Sequence, residues 1–180
     1  LASSYINLAN PGTNNAAPGV APTWDATNGW TFNGTSQYLA TGITPSSNWS
    51  VLVRFSSAGV DGALFGCQTG GATSYFQIFP RGSSGASRLY RNGNVTGLAI
   101  SGGAASGVVA VAGATAYYNG APETGTLSNN LSGATTIFIG ARNSTGTANG
   151  FFGGNIQAIS IYNISIASYI SALTTAINAL

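Results

Sequence analysis

The side chains able to do acid, base or nucleophilic chemistry are few enough to name. They are Asp25, Asp61 and Glu123, five arginines (Arg54, Arg81, Arg88, Arg91 and Arg142) and the single thiol Cys67, with no histidine and no lysine. Cleaving a glycosidic bond takes two carboxylates flanking it, one as acid and one as nucleophile or base; the three acids here stand far apart in the chain. A serine or cysteine nucleophile needs a base, and neither His nor Lys is present to act as one. Zinc and redox metals want His or several Cys. The glycine-rich stretch CQTGGATS lacks the lysine and the strand-to-helix setting of a phosphate loop. The residues therefore argue against an enzyme, and no cofactor or metal is expected.

Recognition chemistry remains. A sugar presents an apolar ring face and many hydroxyls, so an aromatic side chain beside amide groups suits it. The candidates in expected loops or strand ends are Trp30, Tyr38, Tyr75, Tyr90, Tyr117, Phe151 and Asn155; the alternative role for each is to fill a core. The Asn-x-Ser/Thr pattern of a glycosylation acceptor occurs at Asn33, Asn48, Asn94, Asn130, Asn143 and Asn163. Nucleic acid is not an expected partner. It demands a basic stripe, and the nearest approach to one is Arg81, Arg88 and Arg91.

Charged residues make up 4% of the chain, where about 25% is usual. A surface of Ser, Thr, Asn and Gly repels its own copies weakly, so self-association or contact with neighbouring subunits is expected. The longest weakly polar run, GVVAVAGATAYY, is shorter than the ~20 residues that span a membrane. The chain starts at Leu1 and contains no Met, which reads as a processed product or an excised piece.

The elements that must hold these residues are strands. In NWSVLVRFSS, residues Trp49, Val51, Val53 and Phe55 alternate with Ser50, Leu52, Arg54 and Ser56, the period-two pattern of a strand with one buried face and Arg54 pointing out. Similar runs recur at ALFG, SYFQIF, SRLY, VVAVAG, TAYY, TIFIGA and GNIQAISIY. Asn92-Gly93 and Asn119-Gly120 carry the residues of two-residue hairpin turns. Many short strands with no helix between them predict an antiparallel sandwich or barrel. The chain then changes period: Ile166, Tyr169, Ile170, Leu173, Ile177 and Leu180 line one helical face, predicting an amphipathic helix over 167–179 with Ser165 as its cap. Residues 1–23, with three prolines, are expected as a loop or linker packed on the domain, and 24–180 as a single domain. Cys67, within ALFGCQ, is expected to be buried and inert.

The order WTFNGTSQYLATG, NWSVLVRF, TAYYNG, IFIGA and FFGGNIQAISIYN resembles the concanavalin A-like lectin and glucanase superfamily, in particular its laminin G-like jelly-roll branch. The resemblance covers roughly 24–180. It implies two stacked, curved antiparallel sheets with a short C-terminal α-helix, and a glycan or partner site on one face or at the loop rim. Where that branch carries a late acidic pair, this chain has Gln157 and Ala158, so any calcium would rest on a weak site of carbonyls and Asn side chains. The expectation is a non-catalytic structural or adhesion module on an extracellular or virion surface assembly, such as a filament, shell, fibre or decoration. The alternative is a carbohydrate-binding, lectin-like module.

Overall fold

A computed structural model describes residues 2–180. Strands are numbered in chain order. One sheet runs β1 (Ala17–Val20), β4 (Tyr38–Ala40), β13 (Phe138–Ile139), β6 (Phe65–Gln68), β7 (Ser74–Phe79), β8 (Ser87–Asn94) and β9 (Leu98–Ser101). A hairpin of β14 (Arg142–Ser144) and β15 (Thr147–Asn149) joins it beside β6. The other sheet runs β12 (Ala121–Pro122), β11 (Thr115–Tyr118), β10 (Gly107–Ala112), β5 (Ser50–Ser56), β16 (Gly153–Tyr162), β3 (Gly29–Asn33) and β2 (Thr23–Asp25). These ladders are antiparallel except for β14 against β6. The fold is an all-β jelly-roll sandwich with one short C-terminal helix.

The alternation in β5 sets the interior. Val51, Val53 and Phe55 point between the sheets, where they meet Val109 and Val111 of β10 and Phe65, Phe76, Ile78 and Tyr90 of the facing sheet; Trp49 is half-buried against the same core. The other face of the strand is not solvated as expected. Leu52 is 1% exposed, in a second core with Val108, Ala110, Ala112 and Tyr117 that is capped by Ile166, Ile170 and Ile177. Arg54, also on this face, is half-buried and donates from Nη1 to the Ile177 carbonyl (3.4 Å). A single-strand pattern shows which side chains share a face. What covers the far face depends on a helix more than a hundred residues later.

That helix is α1 (Ile170–Asn178), preceded by a 3-10 turn over Ala167–Tyr169. Ser165 is not its cap, because the residue before α1 is Tyr169 and makes no side-chain cap bond. Ser50 acts instead: its hydroxyl accepts from the Ile166 N–H (3.1 Å) and donates to the Ile164 carbonyl (2.9 Å). Tyr169 and Leu180, expected on the apolar face, are 64% and 85% exposed.

Of the two expected hairpins, Asn119-Gly120 forms one: Tyr118 pairs with Ala121, and φ is 48° and 82° at the two turn residues, as a type I′ turn requires. Asn92-Gly93 does not turn. Both residues lie inside β8, and the chain reverses after Asn94, with Gly97 at φ 67°. Asn92 is buried, donating to the Ser47 and Gly113 carbonyls (both 2.8 Å), and so ties two loops to the sheet. These tertiary bonds and continued pairing of β8 with β7 outweigh the local turn preference.

Of residues 1–23, expected as a loop or linker, Ala17–Val20 form the exposed edge strand β1, paired with β4. Its Pro18 marks why the strand was not legible: proline removes one donor, which only an edge strand tolerates.

Candidate functional site

Strand β16 is shared unequally. Along its length β5 pairs with it from Asn155 to Tyr162, whereas β3 pairs only with Gly153–Ile156. The reason lies at Gly29, where φ is 72° and a Cβ would come 2.7 Å from the Gln157 Cα, so the chain turns away there. The edge of β16 from Gln157 onward opens into a cleft of about 800 Å³, walled on its far side by residues 4–9. All three tryptophans of the chain, Trp24, Trp30 and Trp49, line it, together with Tyr5 and Tyr162.

The walls are held by specific contacts. Trp30 donates from Nε1 to Ser4 Oγ (2.9 Å) and stacks on Tyr5, ring centres 6.3 Å apart. Trp24 is the most open of the three, at 43% exposure. Polar groups alternate with the rings: Asn7, Asn14, Asn163, Ser160 and Gln157. Gln157 donates from Nε2 to Ser56 Oγ (3.1 Å), while its Oε1 is buried with no protein partner, as is the Tyr5 hydroxyl. Burial pushes the Tyr5 phenol above its ordinary value. Apolar faces beside free amide and hydroxyl groups are what a saccharide ring offers partners to.

A second cluster lies on the outer face of the β1–β9 sheet. Tyr75, in β7, carries two guanidinium groups, with the Arg91 and Arg142 carbons 4.8 and 5.4 Å from its ring centre. Gln77, two residues along, is fully buried, and neither its amide nitrogen nor its oxygen has a protein partner.

The remaining expected site residues scatter. Tyr38 stacks on Phe138 (4.7 Å) and lies 6.4 Å from Phe151, forming an aromatic patch apart from the tryptophan cleft. Tyr90 is fully buried and Tyr117 sits under α1 at 9% exposure, so both are core residues and neither offers a ring to a ligand. Asn155 accepts from Thr31 Oγ1 (2.9 Å) on the outer face of the second sheet. Of the acceptor asparagines, Asn33, Asn48, Asn94, Asn130 and Asn163 are exposed. Asn143 is 3% exposed and bonded to Thr136 and the Gly146 N–H, which closes it to modification in the fold.

Asp25 and Glu123 do not meet. Asp25 closes the turn after β2, where bonds from the Asn28 backbone and side chain and the Thr27 N–H hold its carboxyl below the usual range. Glu123 follows β12, at the opposite edge of the same seven-stranded sheet, so with six spacings of ~4.8 Å the two edges are roughly 29 Å apart measured across the sheet. Glycosidase carboxylates stand ~5–10 Å apart. Glu123 instead accepts from Arg88 Nε (2.8 Å) and the Tyr90 hydroxyl (3.1 Å), linking the two sheets. Among the described residues no three His, Cys, Asp or Glu come together, and the donors around Gln157 include no carboxylate. Cys67 lies in the core.

Sequence reasoning had singled out Trp30 but missed Trp24, Trp49, Arg91 and Arg142. The scarcity of tryptophan and of acids was the available signal; their convergence was not.

No family model matches the chain, and no curated protein does. Solved structures do share its fold. Domain 4 of AbnA, an extracellular arabinanase of Geobacillus stearothermophilus solved with arabinotriose, superposes with a TM-score of 0.57 at 17% identity, over 92% of this chain and 82% of that one. A heptameric pentraxin from Limulus polyphemus gives 0.57 at 16% identity, over 80% of each chain. The NanB sialidase of Streptococcus pneumoniae gives 0.54 at 18%, over 79% of this chain. The chain spans about a quarter of the length of the NanB chains it matches.

Proposed function

We propose that this chain is a non-catalytic carbohydrate-binding module of the laminin G-like kind, acting outside the cell, and that it holds a neutral saccharide in the cleft beside β16. The observation that carries this reading is the convergence of all three tryptophans on one cleft of about 800 Å³, within the ~300–1,000 Å³ usual for small-ligand sites. The amide of Asn163 and the hydroxyl of Ser160, which line the cleft beside the rings, are available to sugar hydroxyls. The arabinotriose complex of the AbnA domain supports the substrate class. The separation of Asp25 from Glu123 supports binding without hydrolysis. No helix among the described residues is long and apolar enough to cross a membrane.

The test is a titration with neutral oligosaccharides, including arabino-oligosaccharides, read by tryptophan fluorescence and calorimetry. The wild-type chain should bind at least one of them, and Trp24→Ala should weaken that binding at least tenfold, about 1.4 kcal/mol, with an unchanged unfolding midpoint. No binding across the panel, or equal binding by the variant, overturns the reading.

A second reading is an assembly subunit of a filament, shell or fibre on an extracellular or virion surface. Its support is a set of exposed apolar side chains near the N-terminal edge, Ile6, Leu8, Val20 and Trp24, on a chain with little charge to keep copies apart. Light scattering showing a concentration-independent monomer would eliminate it.

A further inference from the structure

Among the described residues one arginine of the five pairs with a carboxylate. Arg88 pairs with Glu123, while Arg54 and Arg81 donate to the Ile177 and Ala58 carbonyls. Among the described residues no carboxylate reaches Arg91 or Arg142; Arg142 donates from Nε to Asn149 Oδ1 (2.8 Å), and the Arg91 Nε is buried without a partner.

These two unneutralised cations are brought together by the fold. Both rest on the Tyr75 ring, so their separation cannot exceed the sum of the two ring distances. Burial first, then the nearby charge of Arg142, hold the Arg91 guanidinium below its ordinary value against the opposing influence of Tyr75. Two like charges sharing one ring in a half-buried place, with no carboxylate to offset them, favour a bound anion.

Gln77 completes the arrangement. It lies directly opposite Arg91 in the β7–β8 ladder and opposite Gly66 in the β6–β7 ladder. Gly66 has no side chain because β14 passes over it: a Cβ there would sit 3.2 Å from the Arg142 Cα and 3.1 Å from the Gln77 Cβ. The unbonded Gln77 amide is therefore flanked by both arginine strands on one sheet face, where a buried polar group without a partner is costly.

We propose that Arg91, Arg142 and the Gln77 amide form a receptor for the carboxylate of an acidic sugar, on the outer face of the β1–β9 sheet and separate from the tryptophan cleft. The guanidinium forks match the two oxygens of a carboxylate. Asn149 and Ser144, on the same hairpin as Arg142, stand beside them for sugar hydroxyls. This site depends on the chain being a glycan binder, but not on the tryptophan cleft.

Calorimetry with trigalacturonate, its methyl ester and inorganic sulfate tests it, on the wild-type chain and on Arg91→Gln, Arg142→Gln, Arg142→Lys and Trp24→Ala. The acid should bind, weakening with added salt. Its affinity should fall at least tenfold for the methyl ester and for each arginine variant, and stay unchanged in Trp24→Ala. Arg142→Lys keeps the charge and loses the fork, so it decides the matter should Arg91→Gln fail to fold. No binding of the acid, equal binding of the ester, sulfate binding as tightly as the acid, or an unaffected Arg142→Lys overturns the proposal. Loss of acid binding in Trp24→Ala also overturns it while leaving the cleft reading intact. Acid binding without any neutral ligand does the reverse.

Discussion

Leu52 offers a direct measure of how far the C-terminal helix belongs to the fold. A reading of β5 by alternation alone places this residue toward solvent, where Leu52→Ala would change stability by less than about 0.5 kcal/mol. In the structure it lies in a row with Tyr117, Ala110 and Ser160 and is covered by Ile166, Ile170 and Ile177. Truncating a fully buried leucine costs about 2–5 kcal/mol, rising with the cavity that remains. Here one wall of that cavity is a single nine-residue helix, which can settle toward the gap, so a loss of about 2–3 kcal/mol, at the lower end of that range, is expected. There is also a ceiling. The helix contributes two buried isoleucines, Ile170 and Ile177, each worth about 1.5–3 kcal/mol gross, less the ordering entropy of its residues; once their net contribution is lost, the helix detaches and further damage at Leu52 adds little. Urea unfolding followed by circular dichroism gives both quantities. Leu52→Ala should lower the midpoint, and Leu52→Arg should lower the m-value as well, because the helix no longer contributes buried surface. Phe55→Ala, in the main core, should cost about 3–5 kcal/mol, and Arg54→Ala less than about 1 kcal/mol. A Leu52→Ala chain within about 0.5 kcal/mol of wild type would refute the packing of the helix on this face.

Glu123→Gln should destabilise the fold by about 1.5–3 kcal/mol, since it weakens two charge-assisted bonds to β8; a double-mutant cycle with Arg88→Gln checks it through the coupling energy. Tyr90 is raised well above its usual phenol value by burial and then by Glu123. Its neutral form is favoured by folding, so that stabilisation is complete below the unfolded value of 10.0 and is lost progressively as pH rises above it; the urea midpoint should hold up to ~pH 10 and fall steadily beyond it, less so in Tyr90→Phe. Burial pushes the Cys67 thiol up to about 12, so it should resist a maleimide at pH 8 in the native chain and react once urea unfolds it.

Much of this was legible in local pattern. The absence of His and Lys and the isolation of three acids limited the chemistry before any fold was known. Alternation in β5 identified Val51, Val53 and Phe55 as inward, because successive strand side chains must point to opposite faces. The Asn119-Gly120 turn and the terminal helix followed likewise from nearest-neighbour sterics and from the 3.6-residue period. Where the outcome turned on partners distant in sequence, local pattern was silent or misleading. Asn92-Gly93 had a turn's residues but was drawn into β8 by bonds to Ser47 and Gly113. Proline-bearing residues 17–20 became a strand because the edge position at β4 spared them a ladder bond. Trp24, Trp30 and Trp49 line one cleft only because β3 leaves β16 at Gly29. Arg91 and Arg142, 51 positions apart in number, met on Tyr75 because the β14–β15 hairpin crosses Gly66. Composition and short-range periodicity determine which contacts a segment can make; which of them it does make is decided by what the rest of the chain brings to its other face.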